Sequence, residues 1–79
     1  MKARIFQELL NSKVVQLTRW YRYGYKCTSY ILRDGELYAT NDFCNNGHSN
    51  LWVRCDEPDL RGEVEFIEYN DNPKDKFIK

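Results

Sequence analysis

Tyr30-Ile31-Leu32-Arg33-Asp34-Gly35-Glu36-Leu37-Tyr38-Ala39 is the stretch from which the fold can be read. Two β-forming runs flank Asp34-Gly35, and Asp-Gly is a two-residue hairpin signature because both turn positions need φ > 0. The turn sets a register in which Arg33 opposes Glu36, Leu32 opposes Leu37, Ile31 opposes Tyr38 and Tyr30 opposes Ala39. Successive side chains alternate between the two faces of a strand. One face then carries Thr28, Tyr30, Leu32, Leu37 and Ala39 and is the expected core face. The other carries Cys27, Ser29, Ile31, Arg33, Glu36, Tyr38 and Thr40 and is expected to be wetter.

Upstream, β-formers dominate from Lys13 to Tyr25, in imperfect alternation. One strand that bends or bulges near Arg19 to Tyr21 is expected there, with Gly24 as a break or tight bend. Further upstream, Ile5, Phe6, Leu9 and Leu10 share one helical face, which predicts a short helix over residues 3–11.

Downstream of the hairpin, Asn41 to Asn50 is a polar loop and Leu51 to Cys55 a short strand. That strand puts Leu51, Val53 and Cys55 on one face and Trp52 and Arg54 on the other. Asp56 to Arg61 is an acidic loop containing Pro58, and Gly62 to Tyr69 is a last strand. Residues 70–79 read as a loose tail, with Phe77 and Ile78 as its anchors if it has any.

The sum is one small α+β domain over residues 1–79: a short N-terminal helix, then a small, strongly bent antiparallel sheet or SH3-like barrel of four or five strands. A helix packed across an open sheet is the second arrangement. Tyr30, Leu32, Leu37, Val53, Val64 and Phe66 are the expected core.

The net charge of zero hides a split. Residues 1–33 hold seven bases against Glu8 alone, and residues 34–79 hold eleven acids against five bases. Either basic and acidic strands pair within the fold, or the chain presents one basic face to an anionic partner. No targeting signal or membrane-spanning run is legible, and three cysteines do not suggest a stapled secreted scaffold. The expected location is cytoplasmic, with thiols reduced.

Cys27, Cys44, His48 and Cys55 are the four residue types that bind zinc, but no close Cys-x-x-Cys pair is present, so no metal site is assigned. Cys44 and His48 resemble a thiolate–imidazole pair only in spacing, without an orienting third group, and no catalytic residue is assigned. The isolated glycines form no phosphate-binding loop, and no cofactor is implied.

Binding remains. Arg19-Trp20-Tyr21-Arg22-Tyr23-Gly24-Tyr25-Lys26 packs four of the twelve aromatics and three of the twelve cations into eight residues. Rings give contact area at low entropic cost, and guanidinium groups give forked donors. Arg19, Trp20, Tyr21, Arg22, Tyr23, Tyr25, Lys26 and, on the next run, Arg33 are the candidate binding residues. Trp, Tyr and Arg dominate protein hot spots, so a small non-enzymatic regulatory protein docking on a protein partner is expected. An inhibitor or accessory factor, including a virus-encoded one, fits that description. The alternative is single-stranded DNA or RNA, with the cations on phosphates and the rings as stacking platforms; a pI near 6.6 speaks against it.

Overall fold

A computed structural model describes residues 14–57 and 64–78, with the backbone but not the side chains of Val64 and Phe66. Its strands are β1 (Val14–Tyr21), β2 (Gly24–Arg33), β3 (Glu36–Thr40), β4 (Leu51–Arg54), β5 (Val64–Tyr69) and β6 (Lys76–Ile78). They form one six-stranded sheet in the order β5-β1-β2-β3-β4-β6. Every pairing is antiparallel except β4 with β6, which is parallel.

This corrects the α+β expectation. Among the described residues the sheet is mixed and has six strands, with β5 and β6 at the two ends of the strand order. No helix occurs among the described residues, and the expected helix over 3–11 lies outside them. Among the described residues there is thus no helix long and apolar enough to cross a membrane.

The β2–β3 hairpin has the register that Asp34-Gly35 dictates, from Arg33 opposite Glu36 to Tyr30 opposite Ala39. Asp34 has φ 56° and Gly35 φ 78°, the double positive φ of a type I′ turn.

The first strand differs from expectation. It does not run on to Tyr25 but turns back at Arg22-Tyr23, pairing Tyr21 with Gly24, Trp20 with Tyr25 and Arg19 with Lys26. Among the described non-glycine residues only Asp34 has positive φ, so Arg22 and Tyr23 do not form a second type I′ turn. Gly24, at φ 148°, takes the conformation that a side chain would resist.

Both faces of the sheet are packed. Val15, Leu17, Tyr30 and Leu37 form one cluster, with Leu32, Ala39 and Cys55 against it. Val14, Ile31, Tyr38 and Trp52 form the other, with Phe43, Tyr69 and Phe77 against it. Ile31 and Tyr38, expected on the wetter face, are thus core residues. Along β4 the expectation is inverted: Trp52 is fully buried, while Leu51 and Val53 are each 52% exposed. Tyr30 and Leu37 are buried as expected, and Leu32 is half-buried.

The second cluster exists because the chain crosses that side of the sheet. β5 and β6 run in the same direction at opposite edges, so the segment between them must span a face. Asp75 pins the crossing. Its Oδ2 accepts from Trp52 Nε1 at 2.9 Å, and its Oδ1 accepts from the Asn50 backbone at 2.7 Å and Asn50 Nδ2 at 3.1 Å. Asn50 Oδ1 in turn accepts from Cys44 N at 2.7 Å, which ties down the 41–50 loop. In place of a loose tail, residues 76–78 form β6, and Phe77 packs edge-on to Tyr38 and stacks with Trp52.

Candidate functional site

The turn at Arg22-Tyr23 gathers seven of the eight candidate residues at the end of one hairpin. The register of β5 with β1 stops at Arg19, and that of β3 with β2 stops at Ser29. Beyond those points the described sheet continues only as the β1–β2 ribbon. Among the described residues the tip extends beyond its paired neighbours, and its rings are exposed. Trp20 is 54% exposed, Tyr21 54%, Tyr23 90% and Tyr25 64%.

The ribbon sorts these side chains. Trp20 and Tyr25 are cross-strand partners on one face, with ring centroids 5.2 Å apart and planes tilted by 47°. Below them Thr18 Oγ1 and Cys27 Sγ lie 3.4 Å apart. Arg19 and Lys26 are partners on the opposite face. The Arg22 guanidinium sits 5.5 Å from the centre of the Tyr23 ring, within cation–π range.

Two cations directly opposite each other weaken a strand pair. Arg19 and Lys26 are placed that way, and residues 18–27 contain no acid. The acidic strand does lie beside the basic one, as the charge split allows: β5 pairs with β1, setting Glu65 opposite Thr18 and Glu68 opposite Val15. Glu65 and Glu68 are exposed along the base of the ribbon. Arg22 and Lys26, nearer the tip, are exposed as well.

Arg33 stands apart from the other candidates. It lies at the far end of β2, where its Nη2 meets Asp71 Oδ2 at 3.0 Å and its guanidinium lies 4.7 Å from the Phe77 ring centre. Its visible role is to hold the crossing segment against the sheet.

Cys27, Cys44 and Cys55 are free thiols. Among the described residues no group of three or more His, Cys, Asp or Glu side chains converges as metal ligands. Burial, and then the charge of Asp56, push the Cys55 thiol above its ordinary pKa, against a smaller opposing effect of Arg54.

A hollow of about 340 Å³ opens between the 41–50 loop and the crossing segment, lined by Phe43, Cys44, Tyr69 and Asn72 among others. Another, of about 500 Å³, lies beside Ala39, Leu51 and Val53. Neither includes a residue of the hairpin tip.

One signal in the sequence does point to the tip hairpin. Glycine is favoured at the fourth position of a type I turn, and Gly24 occupies that position in Tyr21-Arg22-Tyr23-Gly24. Comparison of the chain with protein-family models, with curated proteins and with solved structures finds no match.

Proposed function

We propose that this chain is a small non-enzymatic binding protein whose β1–β2 tip docks on an acidic surface of a protein partner, as a regulatory, inhibitory or accessory factor. The observation that carries this is the exposure of four rings, each more than half exposed, on a ribbon with no acid of its own. Rings of this kind serve as desolvated anchors, and the cations around them select an acidic counterpart.

Single-stranded nucleic acid could use the same tip, but its strand would also have to run off the ribbon. Glu65 and Glu68 border that ribbon and repel an extended polyanion, whereas a protein can touch the tip alone. A cytoplasmic setting belongs to the same proposal, since three unpaired thiols suit a reducing compartment.

Capture from lysate on the immobilised chain, with and without nuclease, tests this against a Trp20→Ala/Arg22→Glu variant. The expected result is a protein retained after nuclease treatment and lost with the variant. Capture that vanishes on nuclease treatment would mark the ligand as nucleic acid and overturn the proposal.

A further inference from the structure

The 41–50 loop is tied at its base and exposed at its crown. Cys44 N donates to Asn50 Oδ1 at 2.7 Å, and Asn50 Nδ2 donates back to Cys44 O at 3.0 Å. Asn72 Nδ2 donates to His48 O at 3.0 Å. Between those ties Asn45, Asn46 and Gly47 are all exposed. Gly47 has φ 95°, and a Cβ built on it would meet nothing within 4 Å. Of the seven asparagines in the chain, Asn46 alone precedes a glycine. The fold holds others back. Asn50 is buried, with its amide bonded to Cys44 and Asp75. Asn72 precedes Pro73, whose nitrogen carries no proton to give up.

We propose that Asn46 is a site of self-modification, converted to aspartate and isoaspartate by the main chain of its own loop. Gly47 N gives up its proton and attacks Asn46 Cγ, closing a five-membered ring. Glycine has no Cβ to crowd that approach. The N–Cγ bond forms, the Cγ–Nδ2 bond breaks, and Nδ2 leaves as ammonia, the proton lost from Gly47 completing it. Water then opens the cyclic imide. Opening at Cγ gives aspartate, and opening at the Asn46 main-chain carbonyl gives isoaspartate, whose backbone runs through Cγ. One water is consumed, one ammonia is released, and nothing is oxidised or reduced. Either product carries a carboxylate that is ionised at neutral pH. It falls in the acidic half of the chain and lowers the formal net charge, zero before conversion, by one. Isoaspartate also adds a methylene to the backbone between Asn45 and Gly47, which line the hollow shared with Asn70 and Asp71.

Ageing the full chain at neutral and mildly alkaline pH tests this, followed by peptide mapping and by methylation with an isoaspartyl methyltransferase. The same series is run on the chain unfolded in guanidinium chloride. The expected result is conversion at Asn46 ahead of every other asparagine, faster at the higher pH, with methyl acceptance rising in step. The folded rate should lie within about tenfold of the unfolded rate, because an exposed loop needs no global opening to react. Asn46→Gln, which would have to close a larger ring, should stop conversion at that position. Gly47→Val should slow it at least about tenfold, since a β-branched neighbour crowds the attack. Conversion spread evenly over several asparagines would overturn the proposal. So would a folded chain that keeps Asn46 intact while the unfolded chain converts it, because the fold would then be holding the amide. The comparison of folded and unfolded chain uses the natural sequence and does not depend on either variant folding.

Discussion

Trp20 and Tyr25 face each other across the β1–β2 ribbon at 5.2 Å, yet both rings remain more than half exposed. A contact that buries so little contributes little to folding. Trp20→Ala should therefore cost about 1 kcal/mol of stability, the order of an aromatic pair. Trp52→Ala, which empties a fully buried site and leaves Asp75 without its indole donor, should cost about 3–5 kcal/mol. Urea denaturation of both variants checks the contrast. Equal losses would show that Trp20 is a structural residue rather than a presented one.

The two faces of β2 offer a second test. Ile31 is 2% exposed between Val14, Tyr38 and Trp52, whereas Leu32 is only partly buried against the opposite cluster. Ile31→Ala is expected to cost about 2–5 kcal/mol, and Leu32→Ala less. The reverse order in equilibrium unfolding would mean that the second cluster does not exist in solution.

Asp75 holds the crossing segment through Trp52, the Asn50 amide side chain and the Asn50 backbone. Asp75→Ala leaves a buried indole N–H without its acceptor, a loss of about 1–3 kcal/mol. Amide exchange should quicken along Lys76–Ile78 more than along β1 or β2. Uniform quickening would contradict a local latch.

Thiol reactivity follows from the environment of the cysteines. Cys44 is exposed, whereas burial and Asp56 raise the pKa of Cys55 and so reduce its thiolate fraction near neutral pH. Iodoacetamide at pH 8 should label Cys44 before Cys55, and the difference should shrink as the pH rises toward the Cys55 pKa. Peptide mapping reads this directly, and faster labelling of Cys55 would show that its site is open.

The β2–β3 hairpin was legible because Asp34-Gly35 imposes its turn through local backbone chemistry alone. The tip residues were legible as a binding composition but not as a hairpin. Arg22-Tyr23 carries no Asn-Gly or Asp-Gly signal, and Gly24 reads equally well as a bend within one strand. Ile31 and Tyr38 were assigned to the wetter face, and Val53 to the core, because alternation identifies two faces without saying whether one or both are covered. The covering segment owes its position to Asp75, twenty-three residues from Trp52 in sequence, and no local pattern announces such a contact. Arg33 resembled the other cations in composition and was separated from them only by the length of β2.

Site-specific photo-crosslinking from position 23 tests the docking role of the tip most directly. Tyr23 is 90% exposed at the turn, so a photoreactive phenylalanine analogue there leaves the fold undisturbed, and Arg54, exposed on β4, supplies a control position. The expected result is a protein adduct from position 23 that survives nuclease treatment, disappears with Trp20→Ala and is missing from position 54. Adducts to nucleic acid alone, or the same protein adduct in equal yield from both positions, would contradict docking through the β1–β2 tip.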